Sequence, residues 1–282
     1  MKAEIYHRIK RTTLNLLIHL FLIIVALTCI FPLLWMVSSS LKTQETVFKD
    51  MSLIPEEFHF ENYCLAWQEG GFGRYFLNSI FYTVCVVLGI VLVSSLAAYA
   101  FSRLRFLGKN LLFFMFIAAM MIPIPGSFVP LYVLLNKLHL RDTALGYILC
   151  MINVGLATSI FMLKTFFDKL PQDLEDAAKI DGCSKLGIWW HVALPLARPV
   201  LAVVVIFNAL IVWNEYVLAL VIFDSKALMP LQVALMSFRG EFITRYPLLM
   251  AGLTITALPI IILYILMEKY INKGVTEGVL VG

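Results

Sequence analysis

The chain has 282 residues, 61% of them hydrophobic and 14% charged, with a formal net charge of +4. Soluble domains run at about 45–50% apolar and about 25% charged residues, so a mean hydropathy of +0.89 excludes an ordinary soluble domain and points to an integral membrane protein. The basic residues stand at the ends of apolar runs rather than on one face, which excludes a nucleic-acid-binding surface.

A membrane-spanning helix needs roughly twenty apolar residues, and six such runs follow one another, at about 14–37, 78–101, 110–136, 143–165, 199–222 and 248–267. The first follows Lys2, Arg8, Lys10 and Arg11 and could imitate a signal peptide. It is too long for a signal core and lacks an A-x-A cleavage site, so it reads as a retained span. The third contains Pro123, Pro125 and Pro130, which predict kinks. Two long connections, at 38–77 and 223–247, fall on one side, and a polar loop at 166–198 falls on the other.

Lysine and arginine orient the chain. The N-terminus, 102–110, 164–198 and the C-terminal tail together hold fourteen of the twenty-two basic residues. By the positive-inside rule both termini and the 166–198 loop are expected in the cytoplasm. The five cysteines have neither CxxC nor zinc spacing and read as packing residues. His7, His19 and His191 have no metal spacing either, so no metal site is expected. The chain carries no GxxxxGK[ST], HExxH or GxSxG, and no catalytic residue is assigned. If ATP powers it, another chain binds the ATP.

The cytoplasmic loop holds a short predicted helix. Pro171 suits a first turn, and Asp173, Glu175 and Asp176 complement the positive end of the helix dipole. Leu174, Ala177, Ala178 and Asp181 recur at i, i+3, i+4 and i+7, a narrow face with small residues at its centre. Gly182 supplies a left-handed stop. Such a helix can enter a partner's groove or simply tie two spans together. The Trp189-Trp190 pair downstream fits an interfacial aromatic anchor.

From Asp176-Ala177-Ala178 through three residues to Gly182, then nine to Val192-Ala193-Leu194-Pro195, the spacing resembles the EAA loop of ABC importer permeases. Asp176 stands where that family has Glu, and Val192 where it has Ile. Further strings resemble the carbohydrate, maltose-transporter-like branch. They are Trp35-x-x-Ser38-Ser39-Ser40-Leu41-Lys42, Phe60-Glu61-Asn62-Tyr63, Tyr75-Phe76-Leu77-Asn78-Ser79, Ala98-Tyr99-Ala100-Phe101-Ser102-Arg103, Met121-Ile122-Pro123, Pro130-Leu131-Tyr132 and Trp213-Asn214-Glu215-Tyr216. The tail from Lys273 to Gly282 resembles the family's ending, with Val281 where Lys is usual, and His139 stands where relatives commonly carry glycine.

The resemblance implies an all-α integral membrane fold of the type I ABC importer permease kind, with six transmembrane helices and a cytoplasmic coupling helix, as a single permease domain. It implies ATPase coupling through Leu174, Glu175, Asp176, Ala177, Ala178, Asp181, Gly182, Leu194 and Pro195. Expected partners are a second permease subunit, a cytoplasmic ATPase dimer carrying ATP and Mg, an extracytoplasmic solute-binding protein, a sugar substrate and the lipid bilayer. No cofactor is expected on this chain, and the location is a prokaryotic inner membrane. Ser237, Arg239 and Glu241 in the 223–247 loop are candidates for contact with the binding protein, or parts of a plain connection.

Asn153, Asn208, Trp213, Asn214 and Glu215 are candidates for the substrate pathway. A carboxylate in a span costs about 2.5–3.5 kcal/mol on insertion scales, so Glu215 should face protein or water. It either lines the pathway or lies near the outer interface and pairs with another helix or with the partner subunit, and the asparagines have interhelical hydrogen bonding as their alternative. The readings weighed are a sugar importer, the same fold carrying a polyol, glycerol phosphate or peptide, an ion-coupled transporter and a membrane scaffold. Ion coupling needs ionisable groups in several spans, and only Glu215 stands out.

Overall fold

The computed structural model describes residues 2–69, 71–121, 127–238 and 244–279. It is helical, with no strand among the described residues. Two compact units form, one from 1–70 with 237–255 and one from 71–236 with 256–282.

In the first unit, α1 (Lys2–Ser40) runs uninterrupted through Pro32. Its apolar side chains from Leu14 to Leu34 are exposed on every side, as a span facing lipid or another subunit requires. The chain then folds back over the end of α1. Lys42 is 1% exposed, and its ammonium donates to the carbonyls of Asp50 (2.6 Å) and Ser52 (2.7 Å). It also pairs with the Asp50 carboxylate at 3.2 Å and lies 5.2 Å from the Trp35 ring centroid. Asn62, at the start of α2 (Glu61–Glu69), donates to the carbonyls of Ser40 and Lys42, and the Tyr63 hydroxyl meets Ser40 Oγ at 2.6 Å. The Trp-to-Lys string at 35–42 and the Phe-Glu-Asn-Tyr string are thus two halves of one fastening.

The second unit is built on α3 (Phe72–Arg103) packed along α6 (Ala144–Lys169). Tyr82, Val86 and Ile90 meet Tyr147 and Met151 in a core that α10 (Arg198–Asn214) completes with Val204 and Val212. Between α3 and α6 lie two shorter apolar helices, α4 (Lys109–Ala119) and α5 (Phe128–Lys137), where one long span is expected. Pro130 falls in the first turn of α5, where its missing N–H leaves no gap. Pro123 and Pro125 lie outside the described residues.

His139 and Asp142, between α5 and α6, have φ of +55° and +53°. Left-handed backbone disfavours a side chain, which gives a physical reason for the glycine expected at 139. Asp142 offsets this by accepting from the backbone N–H groups of Asp224 and Ser225, both at 3.0 Å.

The run expected as one span at 199–222 is interrupted. α10 ends at Asn214, and α11 (Val217–Ile222) starts afresh because the Glu215 carboxylate accepts from the Leu218 N–H at 2.6 Å. The last helix spans Tyr246–Val279 and contains Pro259. Among the described residues four helical stretches are long and apolar enough to cross a membrane: Thr13–Ser40, Phe72–Arg103, Ala144–Lys169 and Tyr246–Lys269. A bent pair, Lys185–Leu196 with Arg198–Asn214 at 79°, makes a fifth if counted as one span.

Candidate functional site

The predicted short helix is α7 (Gln172–Ile180), with Pro171 one position ahead of it as N-cap. Its C-terminus is a Schellman stop. Gly182 takes φ +82°, its N–H donates to Lys179 O at 3.0 Å, and the Cys183 N–H reaches Ala178 O at 2.9 Å. The glycine is required there by backbone geometry.

The helix presents a different face from the one the spacing suggested. Ala178 is 8% exposed and belongs to the core of its own unit, together with Ile188 and Trp189. Glu175, one turn before it, is also buried. These two inward positions cannot form the centre of a face offered to a partner, which corrects the expected Leu174–Ala177–Ala178–Asp181 stripe. Asp173, Asp176, Ala177 and Ile180 lie outward, with Ile180 87% exposed and Leu174 on the flank at 42%. Asp176 pairs with Lys179 at 2.7 Å.

Glu175 faces Arg103, the last residue of α3, with Oε1 2.9 Å from Nε. The guanidinium also donates through Nη2 to the carbonyls of Phe167 (2.6 Å) and Leu170 (2.5 Å) at the end of α6. One arginine therefore holds the ends of α3 and α6 and the first turn of α7. Nearby, Asp168 accepts from Ser102 Oγ (2.7 Å) and Lys164 Nζ (2.6 Å).

After Gly182 the chain re-enters through α8 (Lys185–Ile188), started by Ser184, whose hydroxyl accepts from the Gly187 N–H at 3.2 Å. Residues Trp189–Ala193 widen into a π-turn before α9 (Leu194–Leu196). Pro195 accounts for this, since it has no N–H to give the His191 carbonyl and its ring would crowd that group. Leu194 packs on the chain's own core, while Pro195 is exposed. Trp189 is buried and only Trp190 projects, so the expected aromatic anchor is one ring rather than two.

The pathway candidates divide in the same manner. Asn208 is 1% exposed and donates to Ser159 Oγ (3.0 Å) and Val204 O (2.8 Å), joining α10 to α6. Trp213 is buried and donates from Nε1 to Thr256 O at 2.9 Å. Both fasten helices to one another, as the alternative of interhelical hydrogen bonding describes. Asn153 and Asn214 are exposed, and Glu215 is half-buried beside Asn214. Asn214 Oδ1 accepts from Gln232 Nε2 at 3.2 Å, which brings in α12 (Leu231–Ala234). Residues 153 and 208 thus separate from the group at 214, 215 and 232. From the sequence Gln232 is one of the polar residues of the 223–247 loop expected to meet the binding protein, and nothing in the spacing links it to residue 214.

Ser237 is exposed in a short 3₁₀ segment, Leu235–Phe238, whereas Arg239 and Glu241 lie outside the described residues. The base of this loop is tied within the first unit. The Arg245 N–H donates to Phe238 O (3.0 Å), and Gln44 donates to Thr244 O (2.9 Å) while accepting from the Tyr246 N–H (3.0 Å). Arg245 also hydrogen-bonds Glu69, holding that carboxyl below its ordinary range.

Residues 89–277 match the family described as binding-protein-dependent transport system inner membrane component. The chain is 35% identical over 261 residues to a probable ABC transporter permease protein, YurM, of Bacillus subtilis (strain 168), covering 93% of this chain and 86% of that one. It is 32% identical over 262 residues to the diacetylchitobiose uptake system permease protein NgcG of Streptomyces coelicolor, covering 92% and 87%. The crystal structure of a bacterial ABC transporter involved in the import of the acidic polysaccharide alginate superposes with a TM-score of 0.81 at 26% identity. That match covers 91% of this chain and 96% of the other.

Proposed function

From the premise that this chain belongs to the family of binding-protein-dependent transport system inner membrane components, we propose that it is a permease subunit of an ATP-driven oligosaccharide importer. The sugar class rests on similarity to permeases and importers named for diacetylchitobiose and alginate. The chain forms half of the translocation pathway in the prokaryotic inner membrane, with both termini and α7 in the cytoplasm. It makes and breaks no covalent bond. A second permease subunit, two copies of an ATPase that bind ATP and Mg, and a sugar-loaded binding protein complete the assembly.

The observation that carries this reading is α7 itself. It is a two-turn helix with a Schellman stop, anchored through Glu175 and Ala178 and offering Asp173, Asp176, Ala177 and Ile180 outward. A surface with a small residue and one bare isoleucine between two acids fits a groove with an apolar floor and basic rim. In the cycle proposed, ATP draws the ATPase halves together, α7 moves with them, and the spans open outward to accept sugar. Hydrolysis returns them to face the cytoplasm. The polar group of exposed Asn214 with half-buried Glu215 and Gln232 is where a pathway wall can offer hydrogen bonds to hydroxyls. The 237–245 loop, tied at its base, is the place for binding-protein contact.

Co-purification of the ATPase with the permease pair tests the docking face. Ala177→Arg should reduce recovered ATPase by about tenfold or more, as loss of a buried contact at an interface does. Ala178→Arg should instead lower the yield of folded permease. Full ATPase recovery with Ala177→Arg at normal permease yield rejects this face.

A further inference from the structure

We infer that Arg103 is a positioning residue for coupling, the fastener that makes α7 move as one body with the inner ends of α3 and α6. The inference rests on the importer reading and adds a residue to it. Arg103 touches no nucleotide or sugar in this scheme and acts only through Glu175 and the backbone of the α6–α7 corner.

The geometry distinguishes this contact from an ordinary surface ion pair. Both side chains are largely buried, at 13% and 12% exposure. The guanidinium holds two elements: it forms an ion pair with Glu175 Oε1 in the first turn of α7 and donates from Nη2 to the carbonyls of Phe167 and Leu170. Those carbonyls lie in the last turn of α6 and at its C-cap, where the negative dipole end favours a cation. The chain passes from α6 to α7 through only Leu170 and Pro171, and the arginine closes that corner from the side. Without it, displacement of α7 could be absorbed by rotation about residues 170–171. With it, the displacement reaches α3 and α6, the two helices packed along each other in the core.

A lysine cannot replace this fork, since one ammonium on a flexible stem does not present the same set of donors in a fixed plane. The Ser102–Asp168 contact beside it is more exposed and joins α3 to α6 alone. It serves as an internal control.

The test uses the complete complex with its ATPase and partner permease in liposomes, with the native cysteines replaced and Val217→Cys as a reporter for maleimide labelling. Val217 is 40% exposed and outside the groups discussed. Two quantities are read at equal assembled complex: the ATP hydrolysis rate, and the change in labelling when ATP and vanadate are added. With Arg103→Met, hydrolysis should stay within about twofold while the nucleotide-driven labelling change falls about tenfold, the scale of a coupling free energy. Arg103→Lys should fall between, and Ser102→Ala should behave as wild type.

A merely structural role predicts a parallel loss of both readouts with the amount of complex. A labelling change that survives in full in Arg103→Met overturns the inference. Should Arg103→Met fail to insert, Glu175→Gln decides on the same two readouts, because it keeps the shape and removes the ion pair. Failure of the wild-type chain to assemble with the ATPase overturns the importer reading and this inference with it. Assembly with intact coupling in both variants overturns this inference alone.

Discussion

The packing of α6 against α10 makes a quantitative prediction at Gly155. An ideal Cβ at this position would lie 2.1 Å from Asn208 Oδ1 and 2.5 Å from Ile90 Cδ1. The isoleucine contact is the free end of a side chain and can rotate away. The amide cannot move without breaking its bonds to Ser159 Oγ and Val204 O. Interhelical hydrogen bonds in membranes contribute about 0.6 kcal/mol on average, and a local bond about 1 kcal/mol. Overpacking adds about 1–3 kcal/mol. Gly155→Ala should therefore destabilise the folded chain by about 2.5–4.5 kcal/mol. The assay is denaturation of the detergent-purified protein by SDS, followed by tryptophan fluorescence. A double-mutant cycle identifies the cause: in an Asn208→Ala background, Gly155→Ala should cost at least about 1 kcal/mol less. If Gly155→Ala alone stays within about 0.5 kcal/mol of wild type, or the two substitutions add, the close approach of these helices is wrong.

His139→Gly should raise stability, because φ of +55° costs a side-chain-bearing residue about 1–2 kcal/mol and glycine's extra chain entropy returns part of that. A net gain of about 0.5–1 kcal/mol in the same denaturation assay is expected, and a loss would mean that the imidazole makes a contact worth keeping. Lys42→Met should loosen the turn after α1. It removes two charge-assisted bonds to backbone carbonyls, each contributing about 1.5–3 kcal/mol, and limited proteolysis between residues 42 and 60 should accelerate. Unchanged cleavage in that stretch would contradict the role given to the buried ammonium.

How far the site was legible in the sequence depends on whether its parts are local. Gly182 as a helix stop and the acids in the first turn follow from neighbours within a few residues, and both are seen in α7, while Pro171 stands one position ahead of the turn it was expected to open. The face of α7 is a tertiary matter. Ala177 and Ala178 are chemically identical, so only the position of α8 and the Trp189 turn decides that Ala178 is covered and Ala177 is not. The partners of Asn208 and Trp213 were hidden from the sequence for the same reason. A polar group in a span must meet water or a partner, and the choice was made by Ser159, 49 positions away, and by Thr256, 43 positions away. Glu215 was misplaced by a local effect: its carboxylate can start a helix as readily as it can sit within one, and a hydropathy window does not see the break.

The strings that resemble the sugar-permease branch do one kind of work in this fold. Ser40, Lys42, Asn62 and Tyr63 close the turn after α1. Asn78 donates to the carbonyls of Ala227 and Met229, Ser79 accepts from the Leu231 N–H, and the nearby Tyr82 donates to Leu228 O. Arg103 closes the corner at α7. All but Tyr63, which meets the Ser40 hydroxyl, take up backbone groups with their side chains, and in lipid such groups cost several kcal/mol if left bare. Residues under that constraint cannot vary with the cargo. Discrimination between solutes therefore has to reside in side chains free of it, such as Gln232, or on another chain. Exchanging Gln232 between permeases of different cargo should thus alter solute preference more than exchanging Lys42, Ser79 or Arg103, which should alter folding instead.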